Sequence, residues 1–390
     1  MHVTADFECG GGRRLTELGE GHWRLEAVGD PAGYDKHFCV KATNPSETTA
    51  SLRLEVYPDA ELGAAGAAFF HSHFPSNIWC CGDDWRRWRP VRNTWEDAVS
   101  FEEDHIDIQV PLPPGGEMYF ATNPIRRYSD MLAWLAGMQE KHGERLQRQS
   151  LGPSAEGRDI PVARISGTGS ARPKLLVLAG QHPSEHCGNW ASEGIVEYVL
   201  SSISEAREIG DHFDLAVVPM INPDGNVGGL SGANAEGVNL FSDFEPMARG
   251  EQPEATESRA LWEWLGSEFQ PDVILHFHGY MGWKQFCTPP YDGVYLLTDP
   301  EALYDAKQLA AYRAIQDRLM FETPAYTASW NPGALGEESI EHHLAANFGT
   351  LSAFYEINSA SVGAFEQFRR GPQVVSAVAR ALMQDVRPLW

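Results

Sequence analysis

The sequence predicts an α/β protein in which a mixed, mostly parallel sheet flanked by helices is preceded by a small antiparallel β-sandwich. Three observations predict it. Residues 1–118 carry short segments of alternating apolar and polar residues separated by turn signals. Residues 119–390 alternate continuous apolar runs with helically spaced ones, the pattern of strands buried on both faces and joined by helices. Between the two lies the breaker Pro113-Pro114-Gly115-Gly116. The expected domains are therefore 1–118 and 119–390.

In the first part, His37–Thr43, Ala50–Tyr57 and Ile106–Leu112 alternate as half-buried strands, the first two joined by the turn Asn44-Pro45-Ser46. Trp79, Trp85, Trp88 and Trp95 crowd one stretch and are expected in core and interdomain packing. In the second part, Ser129–His142 has helical spacing with Ser129 as a candidate N-cap. Strands are expected at Ile160–Ile165, Lys174–Gly180, Leu215–Ile221, Val273–His278 and Ala353–Ile357. Helices are expected at Glu193–Ser202, Ser258–Phe269, Glu301–Met320 and through most of Phe365–Leu389.

Composition narrows the function. Thirty Lys and Arg against 54 Asp and Glu give a net charge of −24, which disfavours nucleic acid and anionic membranes as partners. No apolar run reaches the ~18 residues of a membrane span. The first ten residues lack the apolar stretch of a secretory signal, and six cysteines without paired spacing fit a reducing compartment, so a cytoplasmic location is expected.

Ligands of open α/β sheets bind outside the carboxyl ends of the strands. Four strand ends carry ionisable groups there: His182, Glu185 and His186 after the Leu175–Leu178 run; Asn222-Pro223-Asp224-Gly225 after the next; His276 and His278; and Glu356. Singly, each has an ordinary structural reading, such as a satisfied histidine or a Pro-Asp-Gly turn. Together, buried ionisable groups are costly unless they pair or bind metal. Two imidazoles and a carboxylate with an open position make a catalytic zinc site, and a further carboxylate can act as general base. His182-Pro183-Ser184-Glu185-His186 also fits an H-x-x-E-H string, which leaves His186 as an alternative ligand.

These motifs resemble those of the zinc carboxypeptidase superfamily, most of all its cytosolic carboxypeptidase branch, over the chain from Tyr119 onward. Tyr128–Leu132 and Ser154–Val162 are similar to the family's opening segment. His182-x-x-Glu185 resembles its HxxE, and Asn222–Gly225 its NPDG. The resemblance implies one Zn²⁺ held by His182, Glu185 and His278. It also implies Asp224 as the partner orienting the first histidine, Glu356 as general base, and His276 as a residue behind the metal or touching substrate. Tyr326, 30 residues before Glu356, sits in a Pro- and Gly-containing loop where the family has a mobile tyrosine.

The pattern also breaks. Where the family has R-x-N-x-x-G-x-D-L-N-R, this chain reads Gly232 to Ser242, with Gly232 at the oxyanion arginine and Phe241-Ser242 at the Asn-Arg pair that grips the substrate carboxylate. Arg126, Arg127, Arg369 and Arg370 are the candidates to replace that clamp. Phe241, Ser242, Asp243 and Tyr326 are the expected substrate contacts, with Asp243 placed to meet a cationic group. The segment Glu337–His343 is expected to be a solvated helix face. Three functions remain open: a zinc amidase or deacylase acting on a peptide or small-molecule amide without a conventional C-terminal carboxylate, a carboxypeptidase with a rebuilt recognition site, and a non-catalytic binding module.

Overall fold

The computed structural model describes residues 1–29, 37–63, 77–167, 172–280, 291–325, 334–359 and 362–385. Tyr326 and its loop lie outside them. Among the described residues of the first part, ten strands form two five-stranded sheets. One is ordered β1 (His2–Thr4), β4 (Cys39–Thr43), β10 (Glu117–Ala121), β6 (Trp79–Cys81) and β7 (Arg89–Pro90). The other is ordered β2 (Arg13–Gly19), β3 (His22–Glu26), β5 (Ala50–Tyr57), β9 (Ile106–Leu112) and β8 (Val99–Phe101). Pairing is antiparallel except between β3 and β5. Alternation places Leu52, Leu54 and Val56 of β5 with Ile106, Ile108 and Val110 of β9 in one apolar core. The expected division at 118/119 falls within β10.

The second part is built on an eight-stranded sheet, ordered β11 (Leu146–Pro153), β12 (Asp159–Ile165), β14 (Asp214–Val218), β13 (Lys174–Ala179), β15 (Val273–Tyr280), β18 (Leu351–Asn358), β16 (Gly293–Leu297) and β17 (Ala334–Leu335). The central run β14-β13-β15-β18 is parallel, β11–β12, β12–β14 and β16–β18 pair antiparallel, and β16–β17 is parallel. The principal helices of this part are α1 (Tyr128–His142), α2 (His186–Val199), α3 (Ser204–His212), α4 (Pro223–Val227), α5 (Thr256–Ser267), α6 (Ala306–Glu322), α7 (Ile340–Phe348) and α8 (Ala364–Arg380).

Pleating splits β13, β14 and β15 between two cores. Leu175, Val177, Leu275 and Phe277 pack with α2, α6 and α8. Leu176, Leu178 and Ile274 pack with Leu261, Trp264 and Leu265 of α5 and Leu344 of α7. The α2–α8 contact is close because both helices present glycine. A Cβ on Gly371 would meet the Ala191 carbonyl oxygen at 1.9 Å, and one on Gly194 would meet the Phe368 oxygen at 2.0 Å. Pro372 of α8 lacks the N–H that would otherwise bond the Phe368 carbonyl.

Several boundaries differ from the sequence expectation. Helix α1 begins at Tyr128, and Ser129 lies inside it; its amide and hydroxyl are held by the Glu8 carboxylate of the sandwich. An acidic group is favourable at a helix start. Helix α2 begins at His186, seven residues before the expected Glu193. The expected long helix from Glu301 is interrupted, because Asp305 caps a fresh start at Ala306 with a capping box to Gln308.

The two parts meet along a polar seam. His37 donates its amide to Ser231 Oγ at 3.1 Å, and its Nε2 lies 3.0 Å from the Cys9 carbonyl oxygen. The Ser231 hydroxyl in turn donates to the Val28 carbonyl. Cys9 Sγ lies 3.1 Å from Asn226 Oδ1, whose amide nitrogen is 3.3 Å from His186 Nδ1. Beside this seam, Trp79, Trp85 and Trp88 pack with Trp190 and Ala364, the interdomain role expected of the tryptophan stretch, while Trp95 packs on the sandwich core.

Burial holds the His37 imidazole down at about 4 and that of His186 at about 3. An unfolded histidine titrates near 6.5. Below that pH the unfolded chain takes up protons that the folded chain refuses, so stability falls as pH drops from 6.5 toward 4. At pH 5 each histidine is expected to cost about 2 kcal/mol relative to neutral pH. Urea unfolding of metal-free protein at pH 7 and pH 5 should show His37→Gln losing about 2 kcal/mol less than wild type. Equal losses would remove the seam histidine as a source of acid sensitivity.

Candidate metal centre

The site is assembled at the carboxyl ends of the parallel strands. After β13 the chain turns through Gly180, whose φ of +77° and 2.7 Å approach to the Asn189 amide by a notional Cβ call for glycine. His182 and Glu185 follow in a tight turn closed by the Glu185 amide on the His182 carbonyl. Helix α2 then starts, so Glu185 is at the N-cap and His186 is inside the helix. His186 points into the seam, against Asn226 and His37, and is not in the cluster of His182, Glu185 and His278 that could hold a metal, so the alternative that makes it a ligand is not favoured.

Glu185 joins the two expected histidines. Its Oε1 lies 2.9 Å from His182 Nδ1 and its Oε2 lies 2.9 Å from His278 Nδ1. Oε2 also accepts from the Gly279 amide at 3.0 Å. One ligand atom from each of His182, Glu185 and His278 falls within 4.8 Å of the others, and all three residues are buried. This donor set fits zinc: two imidazole nitrogens and a carboxylate, with Nδ1 of both rings directed inward. Burial, the neighbouring His276 and the nearby His182 hold His278 down at about 3, although Glu185 opposes them, so its ring stays neutral and able to ligate.

The far sides of the rings are also held. His182 Nε2 lies 3.1 Å from Asn239 Oδ1. His278 Nε2 lies 3.1 Å from both Gln181 Oε1 and His276 Nε2. The family resemblance implied Asp224 as the partner of His182, and the structure corrects this. Asp224 is in the first turn of α4, where it accepts from the Ser154 hydroxyl, the Glu156 amide and Arg158, each at 2.7 Å. The Asn222–Gly225 motif is instead structural. Asn222 Oδ1 caps α4 by accepting from the Gly225 amide, and its Nδ2 donates to the Gln181 carbonyl. Gly225 leaves room for Pro183, which a Cβ there would approach to 2.8 Å.

Glu356 sits on β18 directly beside His278 of β15 in parallel register, so both side chains leave the same face of the sheet. Two residues earlier on that face, Phe354 stacks on His278 with ring centroids 4.7 Å apart, and Tyr295 stacks on Phe354 at 5.0 Å. Phe241 closes over the centre, its ring 5.5 Å from His278, 6.0 Å from His182 and 5.9 Å from Phe354. Ser242 is exposed next to it. The two oxygens of Asp243 accept from the Glu254 and Ala255 amides, and its expected meeting with a cationic group has no partner here to test it.

Two more expectations are corrected. The segment around Glu341 is not a solvated face, because Ile340, Glu341, His343, Leu344 and Ala345 are buried, with α7 lying against the sheet. The candidate replacement arginines have other partners. Arg126 pairs with Glu193 at 2.6 Å, Arg127 with Asp130 at 2.7 Å, and Arg370 with Asp292 at 2.5 Å, while Arg369 lies over Phe365. The sequence reading does not single out Asn239, Gln181, Phe354 or Tyr295. Asn239 carried a signal, because it occupies the Asp position of the segment aligned on Asn234, Gly237 and Leu240.

The zinc carboxypeptidase family profile matches residues 131–343, more than half of the chain. The chain belongs to the zinc carboxypeptidase family. This family member is 32% identical over 292 residues to cytosolic carboxypeptidase 2 of Danio rerio, covering 70% of this chain and 40% of that protein. It is 26% identical over 368 residues to an uncharacterized protein of Zymomonas mobilis, covering 93% and 87% of the two chains. It spans 12% of cytosolic carboxypeptidase 2 of Xenopus tropicalis and 40% of the Danio rerio protein. Its fold is that of a metallo-carboxypeptidase from Burkholderia cenocepacia, with TM-score 0.77, 18% identity and coverage of 97% and 98%. A metallo-carboxypeptidase from Pseudomonas aeruginosa, solved with (2-guanidinoethylmercapto)succinic acid, has TM-score 0.77 at 19% identity and covers 99% of both chains. Among the described residues, no helix is long and apolar enough to cross a membrane.

Proposed function

We propose that this metallopeptidase-family protein hydrolyses an amide bond with one zinc per chain, held by His182, Glu185 and His278, and with Glu356 as general base. The convergence of the three ligand atoms within 4.8 Å, with Glu356 in register beside His278, carries the reading. When bound, zinc supplies Lewis acidity that polarises a carbonyl and acidifies water from a pKa of about 15.7 toward about 7. Glu356 removes the proton of the attacking water and delivers it to the leaving nitrogen. Asn239 and Gln181 hold the outer edges of the ligand rings.

The substrate is proposed to be peptide-like or acylated and to lack a conventional carboxylate contact. Phe241 supports this, because an aromatic ring lies against the ligand histidines where the family's carboxylate clamp begins. Phe241 and Ser242 would then be substrate contacts, and so would Tyr326. The net charge of −24 argues against nucleic acid as partner. Five buried cysteines without disulfides (Cys9, Cys39, Cys80, Cys81 and Cys187) support a cytoplasmic location. The N-terminal sandwich, residues 1–118 in the division read from the sequence, is proposed to buttress the site through Ser231 and Asn226.

The names of the relatives favour one second reading, a carboxypeptidase with a rebuilt carboxylate contact. Zinc-loaded protein is incubated with matched peptides bearing free, amidated or N-acylated ends, and products are read by mass spectrometry. Cleavage of blocked or acylated substrates alone is the expected result. Trimming confined to free-carboxylate peptides would replace the amidase reading with the carboxypeptidase one. Full zinc occupancy without cleavage of any amide would point to a binding module.

A further inference from the structure

Behind the metal centre, Glu341 of α7 is 1% exposed, with its Oε1 2.5 Å from Nδ1 of His276, which is fully buried. His276 Nε2 is 3.1 Å from His278 Nε2. A continuous chain therefore runs Glu341–His276–His278–Glu185, from a helix on one face of the sheet to the ligand cluster. We propose that Glu341 and His276 are positioning residues that fix the protonation pattern and ring orientation of the metal ligand His278. The proposal rests on the reading of His278 as a ligand.

The donor and acceptor logic runs outward from that ligand. With Nδ1 of His278 given to the metal, its proton is on Nε2. That N–H faces two acceptors, Gln181 Oε1 and His276 Nε2. A neutral His276 accepts at Nε2 only if its own proton is on Nδ1, and Glu341 Oε1 is the group that holds it there. Each member thereby requires the protonation of the next, and the chain ends on a carboxylate. Such outer partners raise the basicity of a ligand imidazole and fix its orientation.

Packing alone does not account for the pair. An acidic side chain this buried is costly, and an apolar pair of similar volume usually folds as well or better. Its position in the first turn of α7, whose start is capped by Ser339, moderates the cost. Among the described residues the second carboxylate oxygen of Glu341 has no hydrogen-bond partner, and its first is held against His276.

Two measurements test the proposal. In zinc-loaded wild-type protein labelled with ¹⁵N-histidine, His276 is expected to carry its proton on Nδ1 and His278 on Nε2. Zinc affinity, read by chelator competition, is expected to fall about 10- to 100-fold in Glu341→Leu. In Glu341→Gln, which keeps an oxygen acceptor for the Nδ1 proton, it should stay within about threefold. A His276 protonated on Nε2, or Glu341→Leu binding zinc as tightly as wild type, would overturn the positioning role. The tautomer measurement needs no variant and survives poor folding of Glu341→Leu. Failure of the wild type to take up zinc would overturn the metal reading itself, and with it this proposal.

Discussion

Glu356→Gln is expected to retain zinc while amide hydrolysis falls by about 10²- to 10⁴-fold, the usual worth of a positioned proton-transfer group. The substitution preserves shape, and β18 keeps its ladder to β15 on one side and β16 on the other. The cluster able to hold a metal, His182, Glu185 and His278, does not include Glu356, so metal content should not move. Zinc content by mass spectrometry and turnover on whichever substrate the peptide series reveals check the two halves separately. Activity within threefold of wild type would exclude Glu356 as the base. Loss of zinc along with activity would mean that Glu356 acts on the metal centre rather than on the reacting water.

His182→Ala should instead lose metal and activity together. Four-ligand zinc sites bind with about 10–16 kcal/mol, so one ligand is worth roughly 3 kcal/mol, or about 10²-fold in affinity. At a zinc concentration 1,000 times the wild-type Kd, wild type gains about 4.1 kcal/mol of stability from the metal. A variant 100-fold weaker gains only about 1.4 kcal/mol there. Thermal unfolding with and without zinc reads this difference directly. An unchanged zinc-dependent rise in Tm would remove His182 from the ligand set.

How much of this could be read in the sequence depended on how local each constraint was. The runs Leu175–Leu178 and Val273–Phe277 are apolar on both faces, and only a doubly covered strand needs that, so the parallel sheet was legible. His182, Glu185, His278 and Glu356 stood out as candidates because they lie where such strands end. The start of α2 was not. Its first two turns hold Gly188, Asn189 and Ser192, weak helix formers, and the helix is buried nearly all round, leaving no polar face to mark its period. The orienting role split the other way. The Asn-Pro-Asp-Gly string drew attention to Asp224, yet a carboxylate in the first turn of α4 is directed by that helix toward Ser154 and Arg158. Asn239, an amide in an aligned segment, took the histidine. Glu341 looked solvated because its neighbours are acidic, and only the docking of α7 on the sheet shows where it points.

The pairing of His278 with Glu356 across two parallel strands has one more consequence. The spacing between the proposed ligand His278 and the proposed base Glu356 is set by the hydrogen-bond ladder of the sheet, about 4.8 Å from strand to strand, and not by any loop. The proposed chemistry would thus be spaced by the sheet itself, whereas Phe241 and Ser242 belong to a connection outside the ladder. A chain built this way can exchange one clientele for another by rewriting its rim while its chemical engine stays untouched. The departure from the family's carboxylate clamp, with the candidate ligands His182, Glu185 and His278 and the proposed base Glu356 all present in the chain, has the form of such a rewriting.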